Sequence, residues 1–331
     1  MNVLVVGGAG YIGSHVAQAL IAAGHDVLVF DNLSSGLRDN LLPGTTFIHG
    51  DIMDTESLRR VFTGDGATRS ARPVEAIIHL AAFKAAGESM VSPEKYARNN
   101  IAGTINILNE ATRADVHRIV FSSSAAVYGE PEYLPVNESH PQHPENFYGF
   151  TKLEIERILH WYDSLRSLRF AALRYFNAAG YDPSGTIRGL EQNPANLLPV
   201  VMEVAAGIRS ELQIFGDDYE TDDGTGVRDY VHVTDLADAH VRALDWIDTN
   251  DSSLTINLGS ESGLSVLEIL ETAREITGKP VPARVVDRRP GDPAKLVASS
   301  ELARKTLGWT ARHSDARTLV ETSWAVYSRL K

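Results

Sequence analysis

The chain has no cysteine among its 331 residues. This absence excludes disulfide bonds, thiol nucleophiles and thiolate metal sites. Its eleven histidines are scattered, and none shows the HxH or HExxH spacing of a zinc site built from neighbouring ligands. The sequence therefore predicts no metal site.

Long apolar runs and basic runs are also missing. The N-terminal apolar run ends at Gly7, too early for a signal peptide or a membrane-spanning helix. The net charge is −12, which disfavours binding to nucleic acid or to an anionic membrane. We therefore expect a cytoplasmic protein without a nucleic-acid or membrane partner.

Short β-branched runs alternate with helical patterns through the first half of the chain. "NVLVVGG", "DVLVFDN", "TTFIHGDI", "AIIHLAA" and "RIVFSSS" are typical of strands, and the segments between them are typical of helices. Strands that are apolar on both faces, each followed by a helix, indicate a parallel sheet covered on both sides. The predicted fold class is α/β, with a Rossmann-type doubly wound parallel sheet and a smaller α/β substrate-binding lobe.

The second half is less regular, and the length suits two lobes. We predict a dinucleotide-binding domain over residues 1–176 and a second lobe over 177–331. The strand-then-helix pattern of "RDYVHVTDLADAHVRALDWI", about residues 228–250, is expected to rejoin the first domain.

The segment "GGAGYIG" places Gly7, Gly10 and Gly13 between a strand and a helix. Glycines at these points let the backbone approach a pyrophosphate at the helix N-terminus. Asp31 ends the next strand, where an acidic side chain binds the adenosine ribose hydroxyls and repels a 2′-phosphate. The pattern predicts NAD, rather than NADP, as the cofactor.

A second motif, "YGFTK", puts Tyr148 and Lys152 one helical turn apart on the same helix face. A neighbouring ammonium and a nicotinamide cation favour the phenolate form of a tyrosine, which can then act as a base. Ser124 ends the preceding strand and could bridge a substrate hydroxyl to the phenol. Ser124, Tyr148 and Lys152 are therefore the predicted catalytic residues.

The GxxGxxG spacing with a later YxxxK resembles the extended branch of the short-chain dehydrogenase/reductase superfamily. Further segments, among them "FDNLS", "FSSSAAVYGEP", "RYFNAAGYDPSG", "DDGTGVRDY" and "RRPGDP", are similar to the UDP-glucose 4-epimerases nearly from end to end. The resemblance implies an isomerase that oxidises a UDP-sugar at C4 with bound NAD, and then returns the hydride to the opposite face of the 4-keto sugar. It also implies a homodimer, through helices near 94–113 and 149–166.

The resemblance implies two sets of binding residues. The expected NAD-binding residues are Gly7, Gly10, Tyr11, Ile12, Gly13, Asp31, Asn32, Ser35, Asp51, Ile52, Ala81, Phe83, Lys84, Asn99, Ser124, Tyr148, Lys152 and Phe176. The expected residues around the UDP-sugar are Ser124, Tyr148, Asn177, Asn196, Leu197, the segment from Gln213 to Phe215, Arg228, Arg289 and Asp292. The two arginines suit a diphosphate, and Asp292 suits ribose hydroxyls.

Other functions stay open at this point. Dehydratases and decarboxylases of the same branch carry an acidic residue just after the serine, whereas this chain has Ala125 and Ala126. A non-catalytic dinucleotide sensor would usually lose the tyrosine or the lysine. Epimerisation of UDP-N-acetylhexosamines or UDP-pentoses is also possible, because Leu296, the residue at the position expected to gate an N-acetyl group, is of middle size. Phe147 and Phe150, which depart from many relatives, predict altered packing near the sugar.

Overall fold

The protein is described here by a computed structural model covering residues 1–64, 72–191, 194–289 and 291–329. Its strands are β1 Asn2–Val6, β2 Asp26–Asp31, β3 Thr45–His49, β4 Ala76–His79, β5 Arg118–Ser124, β6 Arg169–Tyr175, β7 Asn177–Ala179, β8 Leu212–Phe215, β9 Val227–His232, β10 Leu254–Leu258, β11 Gly263–Ser265, β12 Ala283–Val286 and β13 Lys295–Leu296. Its α-helices are α1 Tyr11–Ala22, α2 Thr55–Thr63, α3 Ala86–Ser89, α4 Pro93–Tyr96, α5 Gly103–Arg113, α6 Phe147–Arg166, α7 Leu197–Ala205, α8 Val233–Asn250, α9 Val266–Thr277, α10 Glu301–Leu307 and α11 Ala316–Tyr327. A π-helix, Ala97–Ala102, joins α4 to α5.

The main sheet has seven strands in the order β10-β6-β5-β4-β1-β2-β3. Pairing is parallel from β3 through β2, β1 and β4 to β5. All five residues of β1 are buried, because helices cover both faces of a doubly wound sheet. The order 3-2-1-4-5-6 is that of dinucleotide-binding sheets, so the predicted α/β Rossmann-type fold is confirmed.

The chain divides into two compact units. The first comprises residues 1–129, 142–174 and 237–256, and contains the large sheet. The second comprises residues 130–141, 175–236 and 257–331. In the second unit β9 is flanked by β11 and β13 and also pairs with β7, while β8 pairs with β12.

Several segments lie in a different unit from the one expected from the sequence, and the two longest are residues 130–141 and 228–236. Residues 130–141 belong to the second unit, where Val136 forms a bridge with Ala298 and the Glu138 carboxylate accepts from the Asn257 N–H. Residues 228–236 also belong to the second unit, since β9 pairs with that unit's strands; the return to the first unit begins at Ala237. Both placements depend on long-range pairing rather than on local patterns.

The twenty-residue helix α6 has well-defined ends. The Asn146 side chain accepts from the Gly149 N–H at 2.9 Å, which satisfies one of the free donors of the first turn. Ser167 stops the helix in a left-handed conformation with φ 54°. In the part of the chain that the structure describes, no helix is both long enough and apolar enough to span a membrane.

Candidate active site

The glycine-rich turn between β1 and α1 depends on the absence of side chains. Gly7 has φ +85°, and a Cβ there would lie 2.7 Å from the Ala81 nitrogen. A Cβ on Gly13 would lie 2.2 Å from the Gly7 carbonyl oxygen. Gly10 is the N-cap of α1 and has no capping side chain, so Tyr11, Ile12 and Gly13 begin the helix at an end suited to an anion. The turn therefore fits a pyrophosphate.

The carboxyl ends of β2 and β3 bring together three of the predicted NAD residues. Asp31 is buried and accepts from the backbone N–H groups of Ala9 and Leu33 at 3.0 and 2.8 Å. The Asn32 side chain donates to Asp51 at 2.9 Å. Burial raises the pKa of Asp31, and the two backbone hydrogen bonds oppose this rise. Among the described residues each Asp31 oxygen accepts one of these hydrogen bonds, which leaves it a lone pair for a ribose hydroxyl.

Three further residues that the sequence predicts to bind NAD differ in their burial. Ile52 is buried beneath Gly103, whose Cβ position would lie 2.5 Å from the Ile52 side chain. Ser35 and Lys84 are exposed.

The segment after β4 is held by a residue that the sequence did not single out. The Asn100 side chain accepts from the Phe83 N–H at 2.9 Å and donates to the Phe83 carbonyl at 3.0 Å. It also donates to Thr151 at 3.2 Å, whereas the predicted Asn99 contributes a single bond to Asn100. Asn100 is fully buried in the π-helix, a rare conformation that often occurs at functional sites. Asparagine is a poor helix former, so "NN" inside a helical pattern was the available signal.

The predicted catalytic residues Ser124, Tyr148 and Lys152 lie together in the first unit. The Ser124 and Tyr148 side chains are hydrogen-bonded, and Ser124 Oγ also accepts from the Ala126 N–H. Lys152 Nζ lies 5.8 Å from the centroid of the Tyr148 ring. It donates to the Ser122 carbonyl at 2.6 Å and lies 4.7 Å from the Phe121 ring centroid.

Burial dominates the electrostatics of this group. It raises the pKa of Tyr148, and the hydrogen bond from Ser124 only partly offsets the rise. Burial also lowers the pKa of Lys152 to about 7, against the attraction of Glu156. The side chains of the protein alone therefore do not produce the lowered tyrosine pKa expected from the sequence, because desolvation of the phenolate outweighs its hydrogen bond.

The second unit contains a cavity of about 840 Å³. The predicted UDP-sugar residues of this unit that line it are Asn177, Asn196, Leu197, Gln213, Phe215, Arg228, Arg289 and Asp292. Ile214, inside the predicted segment, is instead buried in the core and does not line the cavity. The N-terminus of α7 opens at Asn196 and Leu197, and the N-cap side chain makes no capping bond. Free N–H groups at a helix start attract an anion such as a phosphate.

The two arginines of the cavity are held in different ways. Arg228 forms an ion pair with Asp292 and also donates to the Val227 carbonyl. The Arg289 guanidinium lies 3.7 Å from the centroid of the Phe215 ring. The sequence predicted Arg228 and Asp292 as separate ligand contacts, whereas the structure pairs them with each other.

Comparison with known proteins identifies the family of the chain. Residues 3–259 match the model of the NAD dependent epimerase/dehydratase family. The chain belongs to this family.

A UDP-glucose 4-epimerase of Lacticaseibacillus casei is 49% identical over 325 residues, which are 98% of this chain and 96% of that protein. The crystal structure of UDP-glucose 4-epimerase from Brucella ovis in complex with NAD is 42% identical, with a TM-score of 0.94 and 98% of each chain covered. That of the Stenotrophomonas maltophila enzyme, with bound NAD and formylated UDP-arabinopyranose, is 41% identical, with a TM-score of 0.93 over 99% of this chain and 98% of that one.

These similarities confirm the resemblance read from the sequence. NAD is the cofactor of this epimerase/dehydratase family, and the glycine turn and Asp31 fit it. Among the residues that the structure describes, no group of three or more His, Cys, Asp or Glu side chains could hold a metal ion.

Among the cavity residues that the sequence analysis does not single out are two tyrosines. Tyr230 lies on β9 and lines the cavity. Tyr219 also lines the cavity, and its hydroxyl is buried without a hydrogen-bond partner in the described part of the chain. Both lie in or beside "DDYETDDGTGVRDY", whose tyrosines were the available signal.

Four other residues named in the sequence analysis have the following positions. Phe176 is half-buried between β6 and β7. Leu296 pairs with Arg228 across β13 and β9 and is not among the cavity-lining residues. Phe147 and Phe150 contact each other in the first turn of α6, with ring centroids 5.3 Å apart.

Proposed function

We propose that this protein interconverts UDP-glucose and UDP-galactose by reversible oxidation at C4. The observation that carries the proposal is the hydrogen bond between Ser124 and Tyr148 with Lys152 beside it, at the carboxyl ends of a dinucleotide-binding sheet. This arrangement can remove a proton from a sugar hydroxyl and return it.

Each catalytic residue has a distinct part in the reaction. Tyr148 takes the proton from O4, directly or through the Ser124 hydroxyl, and gives it back after C4 has been inverted. Lys152 in its charged form favours the phenolate of Tyr148. The glycine turn and Asp31 would hold NAD, which would supply a reversible hydride acceptor for C4. One proton and one hydride leave the hexose and both come back, so no net oxidation occurs.

We propose that the first unit binds NAD through the residues predicted above, and that the second unit holds the nucleotide of the UDP-sugar. In the second unit Arg228, Arg289 and the N-terminus of α7 bind the diphosphate oxygens, for which guanidinium groups and helix N–H donors are suited. Asp292 accepts hydrogen bonds from ribose hydroxyls after Arg228 has left its ion pair with Asp292 to bind the diphosphate.

Elimination of water is the less favoured chemistry. A dehydratase needs a carboxylic acid placed close to the catalytic serine, where this chain has Ala125 and Ala126. Neither methyl group can give or take a proton, so the hydride step with one base is the reaction that these residues support.

A UDP-pentose is the second candidate substrate. The similar Stenotrophomonas maltophila enzyme was crystallised with a UDP-arabinopyranose derivative. A pentose lacks the C6 group, so it makes no additional demand on the space around the sugar.

The deciding experiment incubates the purified protein with UDP-galactose and no added NAD. We expect UDP-glucose to form to a fixed equilibrium ratio from either side. UDP-N-acetylgalactosamine and UDP-arabinopyranose are assayed in parallel. A 4-keto-6-deoxy product would instead identify a dehydratase, and absence of any turnover with NAD supplied would reject the proposal.

We also propose that the protein is a cytoplasmic homodimer. On α6 the side chains of Phe150, Trp161 and Leu165 are 40%, 66% and 64% exposed, at spacings that put them along one side of the helix. Half-buried Ile101 and Ile105 lie in the π-helix and on α5. Apolar residues grouped on a helix surface indicate a partner. Light scattering of the unmodified protein should give twice the mass of one chain. The Trp161→Glu variant should give the mass of a single chain.

A further inference from the structure

Helix α6 carries a third ionisable residue in register with the catalytic pair. Tyr148, Lys152 and Glu156 follow one another at intervals of four residues, so their side chains leave neighbouring positions of one helix face. Glu156 is 3% exposed, although a glutamate is almost never buried unless it is paired.

The partner of Glu156 is Arg174 on β6, which is also buried. Arg174 Nε donates to Glu156 Oε1 at 3.0 Å and its Nη2 donates to Oε2 at 2.6 Å, a bidentate geometry. The remaining arm of Arg174 donates to the Tyr128 hydroxyl at 2.9 Å. The Ser123 hydroxyl donates to Glu156 Oε1.

These bonds join the two elements that carry the reacting side chains. Ser123 precedes Ser124 at the end of β5, and Tyr128 follows the 3-10 turn Ala125–Val127. Glu156 belongs to the helix of Tyr148 and Lys152. A shift of α6 against the end of β5 would break these buried bonds, which is costly in a low-dielectric interior.

We propose that the buried Glu156–Arg174 pair is a positioning element for the reaction, which holds Ser124 against Tyr148 and supplies the negative charge that faces the Lys152 ammonium. The proposal rests on the proposed function for the roles of Ser124, Tyr148 and Lys152.

The groups around Lys152 support the electrostatic part. Tyr148 and Glu156 face it from its own helix, and His79 interacts with it from β4. Burial lowers the pKa of His79 to about 3, so that ring is neutral. Arg174 is hydrogen-bonded to Glu156. Among the residues that the structure describes, Glu156 is therefore the negative group that opposes loss of the Lys152 proton.

The test compares the pH dependence of kcat in Glu156→Gln and Arg174→Gln. Glu156→Gln leaves the positive charge of Arg174 unbalanced, which favours the neutral form of Lys152. The alkaline limb of the profile, where kcat falls as pH rises, should therefore move to lower pH by about one unit or more. Arg174→Gln leaves the negative charge of Glu156 and should not move this limb downward. Glu154→Gln is the matched control, because Glu154 lies on the same helix and pairs with Arg157 at the surface.

A purely structural role predicts another result. Loss of packing would lower the melting temperature and kcat in both variants without opposite effects on the alkaline limb. If neither variant moves that limb, or if both move it downward, the proposal is wrong. If Glu156→Gln does not fold, the double variant Glu156→Gln/Arg174→Gln replaces it, since it removes the negative charge without leaving a lone buried cation. The alkaline limb of the double variant should lie at lower pH than that of the unmodified protein.

A second measurement does not depend on the substrate. The near-ultraviolet phenolate absorbance of each protein, minus that of its Tyr148→Phe form, follows the ionisation of Tyr148 alone. In the double variant Glu156→Gln/Arg174→Gln the phenolate should appear at higher pH, because Lys152 loses its charge earlier and no unbalanced arginine cation remains to offset this; Glu154→Gln should leave the phenolate titration unchanged. Inactivity of the unmodified protein on UDP-galactose would reject the proposed function, whereas an unmoved phenolate titration would reject the positioning role.

Discussion

The hydroxyl oxygen of Ser89 accepts a hydrogen bond from the backbone N–H of Tyr148 at 3.0 Å. Tyr148 is the second residue of α6, so this N–H has no partner within the helix. Ser89 also donates to the Ala86 carbonyl at 2.6 Å. The segment "AAGES" thus attaches the start of the catalytic helix to the loop after β4.

Ser89→Ala should reduce the free energy of unfolding by about 1 kcal/mol, as loss of a helix cap does. It should lower kcat several-fold with little change in KM, because the phenol loses its fixed position rather than its chemistry. Thermal unfolding and steady-state kinetics measure both. Ser92→Ala is the control, since the Ser92 side chain makes no capping bond. Equal effects of the two substitutions would contradict this role of Ser89.

Tyr148→Phe removes the proposed base and should lower kcat by about two to four orders of magnitude. UDP binding, measured by calorimetry, should stay nearly unchanged. Tyr162→Phe on the same helix removes a hydroxyl that donates to Asn109 in an exposed hydrogen bond, and should keep full activity. Retention of most activity in Tyr148→Phe would place the base elsewhere.

NAD should copurify with the protein, because the reaction regenerates it in every cycle. Gly13→Ala should lose it, since the new methyl group would lie 2.2 Å from the Gly7 carbonyl oxygen and force the turn open. Chromatography of the supernatant after denaturation measures the bound dinucleotide. Gly87→Ala is the control, because a Cβ at Gly87 meets only open space. Recovery of NADP alone, or failure to bind supplied NAD, would contradict the assignment of Gly7, Gly10, Gly13 and Asp31.

Arg228→Gln should weaken UDP binding by about 30-fold or more, in line with the loss of about 2 kcal/mol or more for one partner of a desolvated charge pair. The binding of uridine, which has no phosphate, should weaken much less. Calorimetric titration with both ligands separates the two contributions. Arg304→Gln serves as the control, because Arg304 is exposed and pairs with Glu261, and neither residue lines the cavity. Equal losses for UDP and uridine would argue against a diphosphate contact.

Substrate scope is tested at Leu296. We expect UDP-glucose and UDP-galactose to be the better pair, and a preference over the N-acetyl pair of about 10- to 200-fold, the range that an apolar misfit group supplies. Leu296 does not line the cavity of the second unit, so Leu296→Ala should leave this preference unchanged. The measurement is kcat/KM for both pairs with each protein. A relative gain on UDP-N-acetylgalactosamine in Leu296→Ala would contradict this and restore Leu296 as the gate.

Local sequence determined the first unit to a large extent. The strands β1, β2, β4 and β5 are buried on both faces. A short continuous apolar run in the sequence indicates a strand of this kind. The glycine turn and the spacing of Tyr148 and Lys152 are local as well. Such features depend on backbone conformation and helix period, which neighbouring residues control.

Other features were decided only by tertiary structure. The bridge from Val136 to Ala298, the role of Asn100 at Phe83, and the ion pairs Arg228–Asp292 and Glu156–Arg174 each join residues that lie far apart in the chain or on different elements. The raised pKa of Tyr148 and the lowered pKa of Lys152 follow from burial. Long-range pairing and desolvation depend on which surfaces the folded chain brings together, and no local pattern records them.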